Sequence, residues 1–267
     1  MVHFEVINNL KDRGHFMDHY LERVKALSLS VQALPEALKI SESGNYSTYY
    51  APFEYVNKTA RLVICGITPG LQQAMIALRT AQSALLDGAR NEAALKVAKE
   101  TASFAGPMRK NLVEMLDHIG LNKHFGIETT ASLFDQDSHW VHYTSALRNP
   151  VLVQGKNYSG SSAMTGASYL WQQIEAGLGE EIEGLPRHAV YVPLGGNVEA
   201  VFKKLARQGL IDSSQVLEGL PHPSGANMER IAYFCGRKRE EDLSGKTNAA
   251  KLDSSRSALI AKVANLQ

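Results

Sequence analysis

The sequence carries two cysteines, Cys65 and Cys235, in 267 residues. Two thiols build neither a disulfide framework nor a cysteine-ligated iron–sulfur cluster. They fit a reducing compartment, so a cytoplasmic protein is expected. Neither sign of charge is in excess: 28 Lys and Arg against 27 Asp and Glu leave a net charge of +1. That excludes a globally basic nucleic-acid binder, and any contact with DNA has to come from a local basic face. No apolar run approaches the roughly 20 residues that a membrane-spanning helix needs. Met1 to Lys11 lacks the pattern of a secretory signal. The nine histidines show no paired ligand spacing, which argues against a metal hydrolase. Neither a Gly-x-Gly-x-x-Gly nor a P-loop lysine pattern is present. An unrelated nucleotide-binding enzyme built on Leu194-Gly195-Gly196-Asn197 therefore has little support.

What is present is the composition of a globular domain, 44% hydrophobic and 21% charged. Residues 3 to 40 have helical spacing, interrupted at Pro35, and residues 41 to 58 read as an ordered surface loop. Arg61 to Cys65 is a short apolar run that ends in Gly66-Ile67-Thr68-Pro69-Gly70, the pattern of a buried parallel strand opening into a tight loop. A helix follows over Gln72 to Leu86, continued or joined by a second over Gly88 to Thr101. Pro107 suits the first position of a helix whose apolar face is Met108, Leu112, Met115, Leu116 and Ile119, with Gly120 placed to end it. Trp140 to Leu147 is a second strand, residues 151 to 166 a long polar loop, and Ala167 to Leu178 a helix. His188 to Pro193 is a third strand. Beyond it Asn197 is placed to cap a helix with Val198, Val201, Phe202 and Leu205 on its apolar face. Gln215 to Gly219 is a fourth strand.

Strands alternating with helices predict an α/β protein, a three-layer α/β/α sandwich with a central, mainly parallel four-stranded sheet. A single domain over 1–267 is expected, with an N-terminal helical extension over 1–45 and a charged C-terminal arm over 237–267. Ligands of such folds sit beyond the carboxyl ends of the strands. The Gly- and Pro-rich loops fall there, at 66–70, 145–150, 194–197 and 221–227. The last is Pro221-His222-Pro223-Ser224-Gly225-Ala226-Asn227. Each proline fixes its own φ and restrains its predecessor, so His222 is aimed rather than loose. The Ser-Gly turn behind it offers backbone N–H groups to an anion. The plainer reading is a proline-stiffened turn whose histidine merely packs.

Together these motifs resemble the uracil-DNA glycosylase superfamily. The likeness rests on Gly66-Ile67-Thr68-Pro69-Gly70 after the first strand and His222-Pro223-Ser224-Gly225 after the last. Phe104-Ala105-Gly106-Pro107, Val141-His142-Tyr143-Thr144-Ser145 and Pro193-Leu194-Gly195 resemble weaker segments between them. It covers roughly residues 55 to 240. The resemblance implies an enzyme that flips a base out of DNA and hydrolyses its N-glycosidic bond. Phe104 would stack on the base, and Gly66, Ile67, Thr68, Pro69 and Gly70 would line the pocket and place the water. His222 would donate a hydrogen bond to the departing base. Gly195, Asn197, Ser224, Gly225, Ala226 and Asn227 would contact DNA, with Met228 the larger candidate for a wedge. Arg148 and Lys156 would bind phosphates.

The chain departs from the family at three positions. Thr68 stands where many members have Asp or Asn, and a hydroxyl is a poor general base near neutral pH. Glu54, Asp135 and Asp137 are candidate substitutes. Ser145 stands where uracil-specific members carry an asparagine that reads the pyrimidine edge. Gly70 stands where a bulky tyrosine excludes 5-substituents. All three changes point to a base other than plain uracil, such as a bulky modified pyrimidine of phage DNA. A uracil-excising repair enzyme and a catalytically inert DNA-binding module are the alternatives. DNA is the expected partner and a monomer the expected state, with no cofactor, metal or membrane.

Overall fold

The structure, a computed structural model, describes residues 10–28, 33–103 and 107–266. In chain order the elements are α1 (Leu10–Ala26), β1 (Lys39–Ser43), β2 (Tyr46–Tyr49), β3 (Leu62–Gly66), α2 (Leu71–Leu86) and α3 (Asn91–Ala102). Next come α4 (Pro107–His118), α5 (Leu121–Phe125), β4 (Val141–Ser145), β5 (Val151–Val153), β6 (Lys156–Asn157) and α6 (Ala163–Gly166). The chain closes with α7 (Ser168–Ile174), α8 (Glu180–Gly184), β7 (Val190–Pro193), α9 (Gly196–Arg207), α10 (Met228–Phe234) and α11 (Ala249–Ala264). These elements fall into two compact units, each drawn from separate stretches of sequence. The first takes Met1–Val56, Ile67–Ser103 and Tyr143–Glu183; the second takes Asn57–Gly66, Phe104–His142 and Gly184–Gln267.

The first unit is helical around an alanine- and leucine-rich core. On α2, Ala74, Met75, Ala77, Leu78, Ala81 and Leu85 are buried; small residues at helical spacing let α3 approach closely with Ala94, Leu95, Ala98 and Ala102. Tyr20, Leu21 and Val24 of α1 join the same cluster, so α1 is part of the core rather than an appendage. Tyr20 stacks on the fully buried Tyr50, ring centroids 4.6 Å apart.

The same unit contains a sheet that the sequence pattern did not reveal. β1, β2, β5 and β6 form a four-stranded antiparallel sheet in that order. Segment 41–58, expected to be a loop, therefore begins as a hairpin. Likewise 151–166 is a hairpin followed by a helical turn. The β5–β6 connection is Gln154-Gly155, both at positive φ (50° and 77°), a two-residue turn suited to the twist of a hairpin.

The parallel sheet has the order β4-β3-β7, and the second unit holds its strands β3 and β7. β3 and β7 pair parallel, from Leu62↔Val190 to Cys65↔Pro193. Leu62 to Cys65 and Val190 to Pro193 are all buried, as the continuous apolar runs require of strands covered on both faces. The expected fourth strand is not formed. Gln215–Gly219 touches β7 at one bridge, Tyr191↔Val216, extended by the Leu217 N–H donating to the Tyr191 carbonyl at 2.8 Å. A 3₁₀ turn over Ser213–Gln215 takes up its start, and the Glu218 N–H turns back onto the Val216 carbonyl at its end. The fold is thus mixed α/β with a three-stranded parallel sheet.

The C-terminal arm is held rather than loose. Glu229 accepts hydrogen bonds from Lys238 (2.8 Å), Ser244 Oγ (2.6 Å) and Thr247 Oγ1 (2.5 Å), and Leu259 and Val263 of α11 are buried.

Candidate functional site

In the second unit the loop after Leu220 presents His222 between two buried prolines. The Ser224 N–H donates to His222 Nδ1 at 3.2 Å. A ring nitrogen that accepts carries no proton, so the neutral imidazole keeps its proton on Nε2 and is a donor there. Burial pushes the His222 pKa below its ordinary value, which keeps the ring neutral near pH 7. Gly195 stands beside it at φ +91°, and a Cβ there would lie 3.4 Å from His222 Cδ2. The positive φ calls for glycine there.

Asn111 of α4 ties this loop down. Its Nδ2 donates to the Pro223 carbonyl at 2.8 Å and lies 3.3 Å from Met228 Sδ. Met228 is nonetheless 43% exposed, at the start of α10. Ser224 is half-buried, and its Oγ accepts from Asn227 Nδ2 at 3.2 Å; Gly225 and Ala226 are exposed. Asn197 lies within the first turn of α9, and the residue before that helix is Gly195 rather than the expected asparagine cap. An open cavity of about 460 Å³ in this unit is lined by Arg109, Lys110, Val113, Ala131, Phe134 and Asp135. The Arg109 guanidinium lies 5.3 Å from the centroid of the Phe134 ring. Burial pushes the Cys235 thiol up to about 12, which keeps it protonated near neutral pH.

The motif after β3 is divided. Gly66 ends the strand in the second unit, and Ile67–Gly70 belongs to the first. There the Thr68 hydroxyl donates to the Asn149 carbonyl at 2.9 Å and accepts from the Val151 N–H at 3.1 Å. Its proton and one lone pair are committed, so Thr68 staples its loop to the entry of β5. The family resemblance implies a water-placing role for Thr68, and these two bonds tie its hydroxyl to the backbone at the entry of β5. The Ile67 carbonyl accepts from the Leu147 N–H at 2.9 Å.

Gly70 precedes α2 at φ −73°, and a Cβ there would make an ordinary 3.5 Å contact with Asn157 Nδ2. Neither backbone nor packing demands glycine at this position. The Asn157 Oδ1 accepts from the Leu71 N–H at 2.9 Å, holding the start of α2 to β6. Lys156 is exposed on β6, and Ser145 is half-buried at the end of β4.

Arg148, expected on phosphate, is engaged internally. Its Nε donates to Glu181 Oε1 at 2.7 Å and its Nη2 to the Gly177 carbonyl at 2.7 Å. Gly177 lies in a π-helical turn over Glu175–Gly179, and a Cβ there would stand 3.3 Å from Arg148 Cβ. Lys99 joins the cluster, its Nζ donating to the Tyr55 carbonyl at 2.7 Å and lying 3.6 Å from Glu181 Oε2. The Lys99 and Glu181 side chains are 4% and 0% exposed. Burial brings the Lys99 pKa down to about 8.

No protein-family model matches this chain, and no solved structure matches it. Over 242 residues it is 35% identical to the uncharacterized protein YoxB of Bacillus subtilis (strain 168), spanning 89% of this chain and 94% of that protein. The chain belongs to the YoxB family. Within this YoxB-family chain the structure gathers Gly195, His222 and Ser224 in one unit, and Thr68 and Gly70 in the other. Phe104 lies outside the described residues. Among the described residues no helix is long and apolar enough to cross a membrane, and no group of three or more His, Cys, Asp or Glu could hold a metal ion. Sequence reasoning passed over Asn111, although a polar residue at helical spacing between Met108 and Met115 signals a buried amide with a partner. Lys99 and Glu181 gave no such signal, because their pairing joins residues distant in sequence.

Proposed function

We propose that the protein is a DNA glycosylase of the uracil-DNA glycosylase type, with the three-layer arrangement that fold implies. The observation that carries this reading is the neutral, proline-locked His222, whose Nδ1 accepts from Ser224. Its Nε2–H is a fixed donor. When an N-glycosidic bond breaks, the departing base gains negative charge, and a preorganised donor that strengthens with that charge lowers the barrier. A donor of this kind contributes ~10²–10³ in rate. A histidine that merely packed would not need its tautomer set by a turn N–H.

The substrate on this reading is a base larger than uracil. Gly70 supports it, being glycine where neither φ nor packing requires one. Ser145 supports it too, since one hydroxyl reads a pyrimidine edge less fully than an amide does. Exposed Met228, braced by Asn111, suits a wedge into the stack. Lys156 takes over from Arg148 as the expected phosphate contact, because it is exposed.

One observation favours a second reading, an inert DNA-binding module: the Thr68 hydroxyl is spent on Asn149 and Val151. Duplexes containing uracil, a thymine mismatch, hydroxymethylcytosine or glucosylated hydroxymethylcytosine, assayed for abasic sites, separate the two. Base release from an enlarged pyrimidine supports the glycosylase. Binding without release from any duplex supports the module.

A further inference from the structure

At the amino-terminal ends of its parallel strands, opposite the end where Gly195 meets His222, the second unit holds an arginine that the motifs leave unused. Arg61 enters β3 with its backbone paired on both sides. Its N–H donates to the Trp140 carbonyl at 2.7 Å, and its carbonyl accepts from the Val190 N–H at 2.9 Å. The turn before it is fastened to the same place. The buried Asn57 side chain donates to the carbonyls of His139 (2.7 Å) and Val141 (2.9 Å), and the Thr59 hydroxyl donates to the His139 carbonyl at 3.0 Å. The entries of β3 and β4 therefore form one corner, held by backbone and side-chain bonds.

The Arg61 guanidinium lies against two rings of this corner, its central carbon 4.6 Å from the Trp140 ring centroid and 4.8 Å from that of Phe125. Phe125 is buried, and Arg61 and Trp140 are half-buried, so the cation is held in place and still reaches solvent. A ring attracts a cation through its quadrupole but supplies no oxygen acceptor for the guanidinium N–H groups. Among the described residues none is supplied from elsewhere: the Arg61 side chain has no hydrogen bond and no ion pair, whereas Arg237 holds Glu114 and Arg256 holds Asp253. Exposed Lys58, in the turn before β3, and exposed Arg187, before β7, likewise have no acidic partner among the described residues. The acids near this edge leave Arg61 alone: Asp137 does not pair with it, and Asp212 accepts from the Ser214 N–H at 2.8 Å.

We infer that Arg61 is the receptor of a phosphate-binding site, separate from the His222 loop and independent of the glycosylase reading. A guanidinium fork matches two oxygens of a phosphate, and a fork already held by two rings loses little rotamer freedom when it binds. Lys58 and Arg187 add the positive field that draws an anion to this edge. The phosphate is that of a small phosphomonoester or that of a nucleic-acid backbone; both present the same oxygens to the fork.

The chain has two tryptophans, Trp140 and Trp171, so a proton–nitrogen correlation spectrum shows two indole N–H signals, and Trp140→Phe identifies the one from this corner. Inorganic phosphate, glycerol phosphate and a thymidine oligonucleotide without terminal phosphate are titrated separately into the full chain at constant ionic strength, with chloride as the control. The Trp140 signal shifts to saturation with phosphate and not with chloride. Saturation by the two small phosphates assigns a phosphomonoester; saturation by the oligonucleotide alone assigns a nucleic-acid backbone. Arg61→Lys keeps the charge and loses the fork, which weakens binding about tenfold or more, and Arg61→Met abolishes it. Affinity unchanged in a folded Arg61→Met overturns the assignment to Arg61. Should the variants not fold, the wild type decides: no saturable shift with any of the three, or the same shift with chloride, overturns the site.

Discussion

Replacing Arg148 with methionine keeps most of the side-chain volume and removes the charge. The structure makes the consequence large. Glu181 has a fully buried side chain, and its hydrogen bond to Arg148 is its shortest contact with a cation. Without Arg148 it loses that bond while Lys99 stands 3.6 Å away, and the Gly177 carbonyl loses one of its donors, keeping the Glu180 N–H. Breaking a buried ion pair from one side costs about 3–5 kcal/mol, because the remaining charge stays buried. At about 2–4 °C per kcal/mol for a protein of this size, Arg148→Met lowers Tm by about 6–20 °C. Circular-dichroism melting measures this, and DNA affinity as a function of salt is measured beside it. Lys156→Met is the contrast: Lys156 is exposed, so its loss leaves Tm unchanged and reduces the salt slope by about one ion. If Arg148→Met left Tm unchanged and lowered the salt slope instead, Arg148 would be a phosphate contact and the reasoning from its buried partners would be refuted.

Two further outcomes follow from single groups. Thr68→Val strands the Asn149 carbonyl and the Val151 N–H, so unfolding in urea shows a loss of about 1–3 kcal/mol while base release falls less than about tenfold. A hundredfold loss of rate at unchanged stability would restore Thr68 to the chemistry. Glu229 is held well below the usual carboxylate range by hydrogen bonds from Lys238, Ser244 and Thr247. A depressed native pKa gives stabilisation that is present above the unfolded-state value of about 4.5 and is lost as pH falls through the native one. The arm therefore resists limited proteolysis down to mildly acidic pH, and Glu229→Gln exposes 238–247 to cleavage at pH 7.

The parts of the fold visible in the sequence are those with a long repeating signal. α4 runs from Pro107 to His118, and Gly120 follows at φ +83°, as the proline, the apolar face and the glycine predict. α9 buries Val198, Val201, Phe202 and Leu205, the four residues of its expected face. What stayed hidden is short or non-local. β1 and β2 are five and four residues long with mixed polarity, so they resemble loop. The fourth parallel strand is reduced to one bridge by the turns on either side of it. Aligned spacing also cannot show a hydroxyl's partners, so Thr68 looked available when its bonds lay 81 and 83 residues along the chain. His222 was legible because its prolines are adjacent to it, while the setting of its tautomer by Ser224 needed coordinates.

The central claim is that His222 assists departure of a base from DNA. Mass identification of whatever base is released from the duplex panel, by wild type and by His222→Ala, tests it most directly. The account predicts a free, enlarged pyrimidine base from wild type, and a rate ~10²–10³-fold lower from the variant at unchanged Tm and DNA affinity. Equal base release by wild type and His222→Ala would contradict it.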